Sequence, residues 1–175
     1  MIKLIDLLEN KILVPRRSPE ERSKNYIIAT QKKIQQYIKD GSKGDLDLRN
    51  TPITSLPQGL TVGGDLNLMG TKLTSLPQGL KVGSYLDLQN TLITSLPQGL
   101  TVGGNLNLYG TKVTTLPQGL TVGGGIYSYD TEITALPKDL KVGSFLDLSN
   151  TPLSKKYSEE QIKQMVPGVK GSIYL

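Results

Sequence analysis

Any chemistry this chain performs has to come from carboxylates, hydroxyls or amines. Its 175 residues include no cysteine and no histidine. That excludes a thiolate nucleophile, a zinc–thiolate site and the imidazole base that works near neutral pH. Two sets of residues have types and spacings worth weighing. Asp45, Asp47 and Asp65 gather carboxylates as a calcium site would, although no liganding-loop motif accompanies them. Asp47 and Asp87 occupy equivalent places two repeats apart and could serve as the acid pair of a hydrolase, since inverting glycosidases separate theirs by roughly 6.5–9.5 Å. The other set is aromatic: Tyr85, Tyr109, Tyr127, Tyr129 and Phe145. Tyrosine and phenylalanine supply much of the energy at protein interfaces, so these five are the candidate binding residues.

What positions both sets is a repeat. TPITSLPQGLTVGGDLNLMG, residues 51–70, is followed by four near-copies of the same twenty residues. Within residues 44–63, Leu46 and Leu48 alternate with Asp45, Asp47 and Arg49, the period-2 pattern of a strand with one buried face. Ile53, Leu56, Leu60 and Val62 follow at irregular spacing, as a turning coil requires. Pro57 excludes a helix there, and Gly59 and Gly63 suit positive-φ corners. Each repeat therefore reads as a strand, a corner, an extended return and a second corner. The apolar residues recur in register, with Leu46, Leu66, Leu86, Leu106, Ile126 and Leu146 forming one column. A single repeat has too little apolar surface to offset the cost of ordering it, so stacking on a like neighbour must supply the rest.

The same alternation sets three outward columns. Tyr85 and Phe145 fall in the first, Tyr127 in the second, and Tyr109 and Tyr129 in the third. The second column reads Asp47, Asn67, Asp87, Asn107, Tyr127, Asp147, for which amide–carboxylate pairing between neighbouring strands is the plain reading. Ser128 interrupts a column of leucines, and a local breach of a repeat rule often marks a functional position. Thr51, Thr71, Thr91, Thr111, Thr131 and Thr151 form a hydroxyl column expected to satisfy backbone groups at the strand-to-coil corner.

A period of twenty with LxL strands lies in the range of leucine-rich repeats. The pattern LxLxxTxITxLPxGLxVGG resembles the short, LP-containing class found in secreted bacterial effectors, and more closely the leucine-rich proteins of unassigned role in bacteriophages and bacteria. The resemblance covers residues 44–153. Thr stands where that class usually has Asn, and the second half of the effector LP motif is absent. The resemblance implies an α/β solenoid with a parallel sheet on one face and irregular coil on the other. It also implies a binding scaffold with no enzyme activity and no cofactor.

The ends read as caps. Residues 1–43 form a basic N-terminal cap, 44–153 the solenoid, and 154–175 a C-terminal cap. Ser18, Pro19 and Glu21 make a helix-opening capping box. Ile27, Ile34 and Ile38, flanked by Tyr37, make the apolar stripe expected to pack on the first coil. Upstream, Ile2–Glu9 and Ile12–Val14 read as cap or as a partner-binding peptide. Ser158 and Gln161 frame a second capping box before a short helix at Glu159–Val166. VKGSIYL then restates VGSFLDL and predicts a last strand at 172–175. Its free edge could pair antiparallel with a second copy to make a homodimer.

The net charge of +5 is concentrated at the ends. Arg16, Arg17, Arg22, Lys24, Lys32 and Lys33 are the candidate contacts for nucleic acid, the alternative partner. No run reaches membrane-spanning length, and no secretory signal is read at the start, so the expected location is the cytoplasm. The leading expectation is a non-enzymatic protein-binding module, phage-associated, acting on a host process through its aromatic strand face.

Overall fold

The computed structural model of the chain describes residues 18–175. Helix α1 (Pro19–Lys39) precedes eleven two-residue strands. These are β1 (Leu46–Asp47), β2 (Thr61–Val62), β3 (Leu66–Asn67), β4 (Lys81–Val82), β5 (Leu86–Asp87), β6 (Thr101–Val102), β7 (Leu106–Asn107), β8 (Thr121–Val122), β9 (Ile126–Tyr127), β10 (Lys141–Val142) and β11 (Leu146–Asp147). Helix α2 (Glu159–Met165) and strand β12 (Ile173–Tyr174) follow. The odd-numbered strands and β12 make a seven-stranded parallel sheet in the order β1-β3-β5-β7-β9-β11-β12. Each strand pairs with the next one repeat later, as in Leu46↔Leu66 and Leu106↔Ile126. The result is a β-solenoid of stacked coils with a helix at one end and a short helix before the final strand at the other.

The return limb is more ordered than its sequence suggests. Thr61–Val62 and its equivalents pair into a second parallel sheet, in the order β2-β4-β6-β8-β10. Val62, Val82, Val102, Val122 and Val142 point inward and are buried, so identical coils bring identical short segments into hydrogen-bonding register. Between the two sheets lies one continuous apolar core running from Ile34 to Ile173.

The corners divide between two kinds of backbone demand. Asn50, Gly70, Asn90, Gly110, Asp130 and Asn150 all hold positive φ at the turn after the first sheet, the region open to glycine and tolerated by Asn and Asp. Gly59 also has positive φ, as expected, but Gly63 does not. Gly63 is needed for closeness instead: a Cβ there would sit 3.0 Å from the Ser42 carbonyl oxygen. At Gly83, Gly103, Gly123 and Gly143 a Cβ would fall well inside contact distance of the glycine carbonyl oxygen one coil earlier.

The threonine column works within each coil. Every hydroxyl donates to the carbonyl three residues earlier, at 2.7 Å for Thr91 to Leu88 and 2.6 Å for Thr131 to Ser128. The same Leu88 oxygen also accepts the Thr91 amide at 3.1 Å. Thr91→Val keeps the shape and the amide bond but removes the hydroxyl donor. It is expected to cost about 1 kcal/mol, read as a fall of about 2–4 °C in Tm by circular dichroism.

Both capping boxes form. The Glu21 amide donates to Ser18 Oγ at 3.1 Å while the Ser18 amide donates to Glu21 Oε2 at 2.9 Å. Ser158 and Gln161 repeat the arrangement. The buried side of α1 is Thr30 and Ile34, with Ile27 and Tyr37 half-buried beside them. Ile38, expected in that stripe, is exposed instead, because one helical turn from Ile34 it rotates past the contact that Tyr37 fills. The Tyr37 hydroxyl donates to the Gly44 carbonyl at 2.8 Å and accepts the Gly63 amide at 3.2 Å. At the other end Ile162 and Val166 are fully buried over the last coil. Strand β12 then pairs with β11 through Leu146↔Ile173, and a single bridge, Val142↔Val169, extends the second sheet.

Candidate functional site

The exposed side of the seven-stranded sheet is tied together by its own polar side chains. In the first outward column, carboxylates and amides cap the next coil: Asp45 Oδ1 accepts the Asp65 amide at 2.8 Å, Asp65 Oδ1 the Tyr85 amide at 2.9 Å, and Asn105 Oδ1 the Gly125 amide at 2.7 Å. In the second column the bond is local. Asp47, Asn67, Asp87, Asn107 and Asp147 each accept the amide two residues on, at 2.9–3.1 Å. The expected amide–carboxylate pairing between strands is thus secondary to a bond that either Asp or Asn can make. Tyr127 breaks that series, because its side chain has no carbonyl or carboxylate to make the bond.

The aromatic residues take the remaining surface. Tyr85, Tyr109, Tyr127, Tyr129 and Phe145 all lie on this face, each half-buried. Tyr109 and Tyr129 stack with ring centres 4.4 Å apart and planes 21° from parallel. Tyr127 meets Phe145 edge-on at 4.8 Å, one of the geometries that aromatic pairs favour. Gly125 is what permits this contact: a Cβ there would overlap the Phe145 ring. Tyr85, Tyr127 and Tyr129, with Asn105 and Asn107, wall a hollow of about 360 Å³. One further ring belongs to the series, because Tyr174 lies 6.1 Å from Phe145. Sequence reasoning had left Tyr174 out. The signal was available: a strand at 172–175 with Ile173 inward puts Tyr174 in the second outward column.

The carboxylates are in unequal states. Asp47 forms an ion pair with Arg49 at 2.7 Å, and the hydrogen bonds from the Arg49 side chain and backbone hold it below the usual carboxylate range. Asp87 is buried, and loss of hydration raises its pKa against the opposing bonds from the Gln89 amide, Tyr85 and Asn107. Burial also raises the hydroxyl of Tyr85, and that of Tyr129 with help from Tyr109, Asp130 and Asp147. Asp47 borders a depression with Asp45, Asp65 and Asn67, and Asp87 is not among its walls. Of the two acids weighed as a hydrolase pair, Asp47 is exposed and held by Arg49, whereas Asp87 is buried. Among the described residues, no three His, Cys, Asp or Glu side chains gather in a way that could hold a metal ion.

Asp87 yields a pH prediction. A carboxyl whose folded pKa exceeds its unfolded value binds a proton more readily when folded, so stability falls as pH rises from the unfolded value toward the folded one. Above that window the charged, buried form costs a constant amount. Asp87→Asn keeps an oxygen for the Gln89 amide, as Asn67 and Asn107 show. The variant is expected to be more stable than the parent at pH 7 by urea denaturation, and the gain should shrink as pH falls through the raised folded value toward the ordinary aspartate range, with none left below it.

The basic candidates are dispersed. Arg16 and Arg17 lie outside the described residues. At 3.6 residues per turn, Arg22 and Lys33 fall on one flank of the buried stripe of α1, Lys24 on the other, and Lys32 opposite it. The Lys33 ammonium is already engaged, donating to the Asp47 carbonyl at the edge of the sheet. Strand β12, within the 172–175 segment weighed as a dimer edge, is the last strand of the sheet order. Among the described residues no helix is long and apolar enough to cross a membrane. No protein-family model matches the chain, and no significant match is found among curated proteins or solved structures.

Proposed function

We propose that the chain is a non-enzymatic protein-binding module of the short leucine-rich-repeat kind, gripping a partner with the aromatic side of its seven-stranded sheet. The observation that carries this reading is the cluster itself: six rings contributed by five different coils on one face, five of them in pairwise contact, with Tyr85 joining Tyr127 and Tyr129 to wall a hollow. Rings held by one another lose little freedom on binding, which is the property of an interface anchor. The phage association and the role in modulating a host process rest on the resemblance of the repeat alone, and the cytoplasmic location on the sequence reading of the start of the chain.

The test is an affinity capture from host lysate, with and without nuclease, using the parent chain and a Tyr127→Ala/Tyr129→Ala variant. The reading expects a stoichiometric protein that survives nuclease and is lost with the tyrosines. Capture that survives the tyrosine changes, but vanishes with nuclease and with charge reversal at Arg22, Lys24 and Lys32, would move the function to the N-terminal helix and nucleic acid.

A further inference from the structure

Net charge and local charge disagree in this protein. The chain as a whole carries +5, which on its own would draw acidic partners. The outward columns of the seven-stranded sheet carry the opposite sign: Asp45, Asp47, Asp65, Asp87 and Asp147 against Arg49 alone. Arg49 is itself bound through two nitrogens to Asp47. The lysines of the array lie off this face, with Lys81 and Lys141 exposed on strands of the second sheet. A basic partner would therefore be attracted to the aromatic side and repelled elsewhere.

The hollow narrows the chemistry. Its walls are three phenol rings and two side-chain amides, with no basic residue among them. Asp87 lies on the coil of Tyr85 and Asp147 one coil beyond Tyr127, in the same outward column as Asn107 and Tyr127. Aromatic faces attract cations, most strongly where water is partly excluded. The side-chain oxygens of Asn107 and Asn105 already accept the Tyr109 and Gly125 amides, and both carbonyls retain a second lone pair for a donor. A planar guanidinium stacks on a phenol ring and presents donors at its rim.

We infer that the partner of this face is a basic segment that places a cationic side chain, arginine by its geometry, in the hollow between Tyr85, Tyr127 and Tyr129. This deepens the reading of the sheet as a protein-binding surface and rests on it. The acidic coils on either side then select further basic residues along the segment, at about 4.8 Å per coil. The buried charge of Asp87, destabilising in the free chain, gains a counter-ion when the hollow is filled.

The probe is a library of random twelve-residue peptides selected on the immobilised chain, with a parallel selection on the Tyr127→Ala/Tyr129→Ala variant. Peptides enriched only on the parent are synthesised and their affinities measured by fluorescence anisotropy. The inference expects arginine-rich sequences. Their affinity should drop at least tenfold when the shared arginine becomes glutamine, and again by several-fold on Asp87→Asn, a variant that leaves the chain folded. Tyrosine-dependent peptides that are neutral or acidic would overturn the cationic assignment while leaving the surface reading in place. If no peptide depends on the tyrosines, the surface reading fails and the assignment fails with it.

Discussion

Gly103→Ala is expected to destabilise the chain by about 3 kcal/mol, at the upper end of ordinary overpacking. The cause is the backbone of the coil beneath. A Cβ on Gly103 would press into the Gly83 carbonyl oxygen, with the Gly83 carbonyl carbon 2.8 Å away. Neither atom can rotate aside as a side-chain tip would. Relief requires the coils to part, and parting stretches the bonds from Gly103 to Val82 at 2.8 Å and from Gly104 to Ser84 at 2.9 Å. Gly99→Ala, four residues away, provides the contrast. Nothing lies within 4 Å of a Cβ there, and the only obstacle is its φ of +66°, worth about 1–2 kcal/mol. Urea denaturation of the two variants should rank them in that order. Equal losses would mean that stacked glycines are not what sets the spacing of the coils.

Replacing Tyr127 and Tyr129 together is the second large effect, and it falls on binding. Truncating an interface anchor costs about 2 kcal/mol or more, so two of them approach a thousandfold in affinity. Their neighbours support the estimate. Tyr129 is held by Tyr109 and Tyr127 by Phe145, and removing either ring also frees the one it steadies. The folded state should survive, because both side chains stand on the outer side of the sheet while Ile126 and Ser128 hold the inner one. A cooperative thermal transition in the double variant, measured beside the binding loss, separates recognition from collapse.

Much of this architecture is written in the alternation of single residues. Leu46 and Leu48 with Asp45 and Asp47 specify which way each side chain points, and the twenty-residue spacing specifies which strand pairs with which. The capping boxes at Ser18 and Ser158 are local and need no neighbour to be read. Features that depend on the adjacent coil were not legible. Thr61–Val62 is too short to show a period, and its sheet exists only because Lys81–Val82 lies beside it. Gly63 looks like a corner glycine until the Ser42 carbonyl is seen against it. On α1 the pattern of isoleucines pointed to Ile38, whereas the buried side includes Thr30, whose hydroxyl is satisfied by the Tyr26 carbonyl at 2.9 Å. Ser128 drew attention as a breach of the leucine column. It is fully buried and donates to the Asp147 carbonyl at 2.6 Å, a structural accommodation in the core beneath the aromatic surface. Outward direction was enough to nominate Tyr85, Tyr109, Tyr127, Tyr129 and Phe145. The contact of Tyr127 with Phe145 was not legible, since it turns on the missing side chain of Gly125.

Coils this alike pose a problem of counting for the folding chain. A coil that skipped its neighbour and docked on the next one would bury the same leucines, make the same threonine bonds and leave a twenty-residue loop, whose closure costs only a few kcal/mol. Nothing in the shared pattern distinguishes that arrangement from the native one. The differences between coils do. Phe145 fits only over a residue with no Cβ, so it lies flat against Gly125 and would strike the Asn105 side chain if its coil docked one place early. The irregular residues of the fifth and sixth coils thus act as keys, giving an otherwise degenerate stack a single order.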